Sequence, residues 1–440
     1  MYFLKSFKSL SEYNNFVSSG DLLLPNVSQI TNTTETRYRS RCAKYYNSLD
    51  MAISDINSYD IGQNGADDKT ADTVCQVILD SKLRIKLLND TNVSTPLNCH
   101  YELDMNLNNK ILRCIDSTII TGNRNVSISN GTVYCDVTNT SNETSFLLFN
   151  GDICHLSNLT FYTTSNGGGS KTNPLTTVRA ISGLLHIRQC RFNATDYSNG
   201  SISNVYIEEN AQLDGKNIEM ILTAPNGISA NIYSMGDIVL SESYIEGYAN
   251  HTANAAGNDY ASLSRAIMSM KGDVRLIDCM MYGTHSAVTI RGGELYVDNG
   301  EYDGYSHGGI YLANDNYNSY IKNAALNDTV MRGEGMYDDG VAGTNGAAMY
   351  IGGASYMNVY VNNCAFYGRI QPIVIKYNSS SSHDNHLYIS NSRMNTDYTR
   401  CGIRNDGANY VTFGALNTFD YTVLENKRNY DNTTEIYEMN

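Results

Sequence analysis

The densest group of side chains able to move protons lies in EYDGYSHGG, where Glu301, Asp303 and His307 fall within seven residues. Upstream stands GTHSAV with His285, and downstream GEGMYDDG with Glu334, Asp338 and Asp339. Two carboxyl groups flanking one bond, about 5 to 9.5 Å apart, are what hydrolysis of a glycosidic bond requires. Glu301, Asp303, Asp338 and Asp339 are therefore the candidate catalytic carboxyls, with His307 as a further acid or base. The plainer reading, that these are solvated loop residues, stands beside it, because no fold supplies activity by itself. GMYDDG lacks the fixed ligand spacing of a calcium loop and the ten cysteines form no CxxC pair, so neither a metal nor a cofactor is expected.

Such residues can meet only if distant parts of the chain are stacked, and a repeat supplies the means. The pattern apolar-x-apolar-x-polar-small-x-apolar recurs from Val126, Cys154, Leu185, Ala211, Ile238, Val274, Leu295, Ser319, Val359 and Leu387. The copies are separated by steps of about 21 to 40 residues, which excludes fixed-period helical repeats and suits a parallel β-solenoid, whose loops vary freely in length. The fifth position is Asn at 130, 158, 299, 323, 363 and 391, a residue able to stack its amide on the copy above, and Cys190, Cys279 and Cys364 share the next position. A second apolar strand precedes most copies, as in AVTIRGG and AAMYIGG. Ten rungs at one inter-strand spacing would run roughly 45 Å. In this frame His285 and His307 are expected to stack.

The repeat also lines up aromatics. Tyr296, Tyr320, Tyr360 and Tyr388 take its second position and face outward, and Tyr311 and Tyr350 do so from the strand before. Exposed aromatic rows mark contact surfaces, either a subunit interface or a platform for sugar rings. His155, His186 and Arg188 take outward positions in earlier copies, where solvation accounts for them.

Composition agrees with an all-β chain. Of 440 residues, 35 are Gly and 34 Tyr, with 5 Pro and no Trp, which describes strands and turns rather than helices. A net charge of -14 argues against nucleic acid as a partner. The scattered cysteines read as buried small hydrophobes. MYFLKSFKSL is interrupted by Lys5 and Lys8, so no signal peptide is expected, and no run is apolar enough for membrane insertion. Synthesis in a cytoplasm follows as an expectation.

At the N-terminus Ser9 and Glu12 form a capping box ahead of Tyr13, Phe16 and Val17, and Gly20 ends that short helix. A second helix is expected over 70–80, with Val74, Cys75, Val77 and Ile78 inward, covering the open end of the solenoid. The chain thus divides into an N-terminal segment 1–40, a helix-containing cap 41–100, the solenoid 101–414 and a C-terminal cap or tail 415–440.

The helix, LRIKLLNDTNVSTPL and the ten copies together resemble the pectate-lyase-like right-handed parallel β-helix of phage tailspikes and of polysaccharide lyases and hydrolases. Separately, SLSEYNNFVSSGDLLLPNVSQI followed by TRY is similar to the N-terminal segment of appendage proteins from phages of gut bacteria. These resemblances imply a virion protein, a homotrimeric tail spike or fibre whose residues 1–40 attach to other virion proteins and whose β-helix contacts host surface polysaccharide. The competing class is a capsule depolymerase, a hydrolase or lyase. The fragments Ser306-His307-Gly308, Asp338-Asp339 and Asn395-Thr396-Asp397 resemble polygalacturonase motifs but run in reverse order, so that family's catalytic roles are not carried over.

Overall fold

The computed structural model describes residues 26–440 apart from 33–34, 59–62, 80–82, 94–96, 100–101, 116–119, 123, 138–144, 168, 171–172, 199, 225–228, 250–263, 306, 315–320, 335–345, 354–356, 370, 376–384, 397–401, 406–409, 422–435 and 439–440. The N-terminal capping box, Tyr320, Asp338 and Asp339 lie outside the described residues. Those described form 34 strands and one helix, and no helix among them is long and apolar enough to cross a membrane.

From Leu83 onward the strands pair in parallel in three columns, visited in a constant order. One turn shows the scheme. Leu295–Gly304 runs through the first column, bends at Asn299 and continues into the second, and Ile310–Asn314 lies in the third. Asn323–Gly333 then returns to the first column, pairing Leu295 with Ala324 and Gly304 with Gly333. The stacking continues beyond residue 414, through Thr418–Tyr421 and Ile436–Glu438.

Strand alternation sends every second side chain inward, and in register the same kinds of side chain stack from rung to rung. Phe161 and Phe192, both fully buried, lie with centroids 4.6 Å apart and planes 8° from parallel. Val288, Ile310, Met349 and Ile373 make the equivalent row in the third column. Each such burial is worth about 1.5 to 3 kcal/mol, so the core is a sum of many modest terms.

The bend between the first and second columns is the most regular feature. Asn130, Asn158, Gln189, Asn217, Glu242, Asp278, Asn299, Asp328, Asn363 and Asn391 all hold φ between 50 and 60°. This left-handed region costs most side chains about 1 to 2 kcal/mol, and Asn and Asp enter it most readily. The next residue fastens the bend from within. Cys190, Cys279 and Cys364 each direct Sγ at the carbonyl two residues back, at 3.3 Å. Ser243, Thr329 and Ser392 donate the equivalent hydroxyl bond at 2.7, 3.0 and 2.7 Å. The bend side chains also link successive rungs: Asn299 Nδ2 donates to Asp278 Oδ1 at 2.7 Å, Asn158 Nδ2 to Asn130 Oδ1 at 3.3 Å, and Asn363 Nδ2 to Asp328.

These bends correct the frame of two copies. The copy read from Ala211 begins at Leu213, which pairs with Leu185 and puts Asn217 at the bend. The copy read from Ser319 begins at Ala324, with Asp328 at the bend. Asn323 is therefore not a bend residue, and it donates instead to Glu294 Oε1 at 2.8 Å. SYIKNAAL mimics the pattern because Ile321 is also buried.

The helix expected over 70–80 is not formed. Cys75–Leu79 is a strand, antiparallel to Glu35–Tyr46 on one side and Leu83–Leu87 on the other. Cys75 and Val77 are fully buried two residues apart, a period-2 face that Val and Cys serve better in a sheet than in a helix. The helix lies earlier, at Leu49–Ser58, burying Leu49, Ala52, Ile53 and Ile56 along one stripe, with Ser48 Oγ accepting from the Met51 amide at 3.1 Å.

Candidate functional site

Immediately after the bend, the second-column strands end in the same way on five successive rungs: apolar, variable, glycine. The glycines are Gly247, Gly283, Gly304, Gly333 and Gly368, in register. A Cβ on Gly304 would lie 1.8 Å from the Gly308 carbonyl oxygen, and one on Gly283 would lie 2.0 Å from that of Ser286. Only a residue without a side chain lets the chain turn there toward the third column. The variable residue before each glycine points outward, which sets Glu246, Tyr282, Asp303, Arg332 and Tyr367 in one row. Tyr244, Met280 and Glu301 form a parallel row nearer the bend.

This wall is charged, aromatic and tightly cross-linked. Arg332 Nη1 donates to Glu301 Oε2 at 2.9 Å and to Asp303 Oδ1 at 3.2 Å, so the two carboxylate oxygens are no more than about 6 Å apart. Burial raises the Asp303 carboxyl above its ordinary value of 3.8, outweighing Arg332, which pulls it down. Burial lowers the Arg332 pKa, but the bonds and charges of Glu301 and Asp303 outweigh that and raise it. Tyr244 donates its hydroxyl to Glu246, and this bond above all pushes its pKa up to about 12. Tyr248 is raised as well, by burial first and by Glu246 second, and its ring lies 5.2 Å from that of Tyr282. Burial, then the nearby Glu334 charge, raises Tyr282. Arg332 also lies over the Tyr367 ring, 5.7 Å from its centroid.

Beside the wall a trough of about 660 Å³ follows the bend. Its edge carries Gln189, Asn217, Glu242 and Asp278, and Arg191, Glu219, Tyr244 and Met280 flank it. Arg191 pairs with Glu219 at 2.7 Å and Lys216 with Glu242 at 2.8 Å. Tyr244 is 40 % and Met280 49 % exposed, so apolar surface is presented to whatever enters the trough.

Of the residues singled out in the sequence, Glu301 and Asp303 are thus brought together by Arg332. His307 is not on their row: it is buried at the turn into the third column, its ring stacked on His285 with centroids 4.3 Å apart and planes within 2°. Tyr311 and Tyr350 meet the His307 ring edge-on, at 5.1 and 5.7 Å. Those two tyrosines stack on each other at 4.7 Å, and Tyr350 is buried rather than exposed. Tyr296, Tyr360 and Tyr388 do share one outward row of the first column, but Ala325 stands in the place expected for Tyr320. Tyr360 and Tyr388 stack at 5.0 Å, and His386 and Tyr410 stack beside them at 4.7 Å. On the earlier rungs of this row His155 and His186 stack at 4.8 Å, and Asp214 Oδ2 lies 3.0 Å from His186 Nδ1. The cysteines Cys75, Cys114, Cys135, Cys154, Cys190, Cys279 and Cys364 are buried.

Tyr244, Glu246, Tyr248, Tyr282 and Arg332 were not anticipated. For Glu246, Tyr282 and Arg332 the signal is in the sequence: YIEG, MMYG, YDG, MRG and FYG each place an outward residue just before a glycine, one rung apart.

No protein-family model matches the chain, and no curated protein does. Among solved structures it is similar to two mutant forms of the periplasmic alginate epimerase AlgG. One, at 7 % identity and a TM-score of 0.28, spans 100 % of this chain and 99 % of that one. The other, at 9 % identity and a TM-score of 0.21, spans 94 % of this chain and 100 % of that one. At such scores no residue role is transferred.

Proposed function

We propose that the protein is a glycan-binding, right-handed parallel β-helix of ten or more coils. The hand follows from the general preference of parallel crossovers. The observation that carries the binding reading is the second-column wall, where Tyr244 and Met280 line the trough and the Tyr248 and Tyr282 rings lie together on the same outward face. Aromatic faces take the C–H face of a sugar ring while hydroxyls, amides and carboxylates hold its hydroxyls. In this reading the chain is a virion appendage, a tail spike or fibre. The N-terminal segment quoted above is the support: residues 1–40 join other virion proteins, the solenoid is a trimeric rod, and the wall meets host surface polysaccharide. Titration of the purified protein with that polysaccharide tests it: saturable binding weakened about tenfold or more by Tyr282→Ala is expected, and absence of binding contradicts it. Mass measurement in solution should give a trimer.

A second reading, hydrolysis or β-elimination of the bound glycan, is favoured by one arrangement: the Glu301 and Asp303 carboxyls share Arg332, with oxygens no more than about 6 Å apart, an upper bound that admits the separation a retaining glycosidase uses. Release of new reducing ends or unsaturated sugars, lost in Glu301→Gln, supports it. A binder yields neither.

A further inference from the structure

We infer that the glycan taken by the second-column wall is neutral, and that polyanionic glycans such as polyuronates are rejected; this rests on the glycan-binding reading. The positive charge of this face is already engaged. Three described cations lie along the trough and wall between Gln189 and Arg332, and each is closed by a carboxylate of this chain. Arg191 is held by Glu219, Lys216 by Glu242, and Arg332 by Glu301 and Asp303 together.

An acid sugar would therefore have to break an existing ion pair to gain its own, exchanging one carboxylate partner for another with no net gain of contacts. It would do so in a negative field, because Glu246, Asp278 and Glu334 add charge that these cations do not neutralise. Glu246 accepts the Tyr244 hydroxyl, and Asp278 accepts the Asn299 amide. An amine-bearing sugar is drawn by that field, but Glu246, Asp278, Glu301 and Asp303 already accept bonds from this chain, so a close ion pair would again cost an existing contact. What the wall offers without such exchange is uncharged: the Tyr248 and Tyr282 rings, the exposed faces of Tyr244 and Met280, and the Gln189 and Asn217 amides on the trough edge. These groups suit hydroxyls and the apolar faces of hexose rings.

The test compares three soluble oligosaccharides of equal ring number at low and high salt: a neutral glucan, a polyuronate and a free-amine glucosamine oligomer. The expected result is preference for the neutral chain by about tenfold, with salt changing its affinity less than about twofold, because no ion pair is formed. Glu334→Lys, which replaces one of those negative charges with a positive one at an exposed position, should raise polyuronate affinity relative to the neutral chain about tenfold. Stronger binding of the polyuronate or the amine oligomer by the unmodified protein overturns the neutral assignment while leaving the glycan-binding reading intact. Failure of all three to bind, with host polysaccharide also unbound, removes the glycan-binding reading itself.

Discussion

Two outward walls of the same solenoid carry tyrosines, and they are built on different terms. The first-column row is repetitive over its last rungs: Tyr360 and Tyr388 stack on one another, with His386 and Tyr410 stacked beside them, so each ring covers part of its neighbour. The second-column wall is heterogeneous: Tyr244 spends its hydroxyl on Glu246, Arg332 clamps two carboxylates, and a concave trough runs alongside. Like-on-like stacking along a sheet is a common way to stabilise strands. A clustering of unlike groups in and beside a concavity is what a ligand site requires. A row of identical residues, conspicuous in a sequence, is thus the weaker sign of function.

The comparison breaks most severely at the glycines that support the second wall. Gly304→Ala sets a methyl group against the Gly308 carbonyl and should cost about 2 kcal/mol or more, measured by chemical denaturation, with loss of glycan binding. Tyr360→Ala, at a position 47 % exposed, should cost under about 0.5 kcal/mol and leave binding unchanged. Equal losses of binding in Tyr282→Ala and Tyr360→Ala would erase the distinction between the walls.

A smaller effect sharpens the account of the bend. Leu416 holds φ at 62° and is 81 % exposed, a left-handed position filled by a residue with neither the freedom of Gly nor the local hydrogen bonding of Asn. Leu416→Gly should stabilise by up to about 1 kcal/mol, whereas Asn363→Ala should destabilise by a similar amount. Thermal denaturation of the pair reads both signs.

The smallest effect is pH-dependent. Because burial raises Asp303 in the folded protein, the folded form holds that proton more tightly than the unfolded chain does. Its contribution therefore favours folding below the ordinary carboxyl value of 3.8 and is lost as pH climbs through the raised value. Between those limits the wild type should lose a degree or so of Tm relative to Asp303→Asn, a gap of about 2 °C or less.

The parallel stacking of similar strands was legible because inward side chains and the bend obey a fixed spacing: Val359, Val361, Asn363 and Cys364 announce a rung by themselves. Frame was lost where substitution blurred that spacing, as at Ala324 and Asp328, and with it the expected place of Tyr320. The strand Cys75–Leu79 reads as a helix in the sequence because a short apolar run carries both periods. Of the site, Glu301 and Asp303 could be named but not their clamp, since Arg332 follows by a loop of variable length and only the register shows them adjacent. His307 was misplaced for a related reason. Sequence proximity to Asp303 hides the turn at Gly304, beyond which its ring stacks on His285.

The central claim, that the second-column wall and not the first meets the glycan, is tested most directly by hydroxyl-radical footprinting with and without saturating host polysaccharide. The account predicts protection of Tyr244, Tyr248 and Tyr282 while Tyr360 and Tyr388 stay as reactive as in the free protein. Protection confined to Tyr360 and Tyr388 would contradict it.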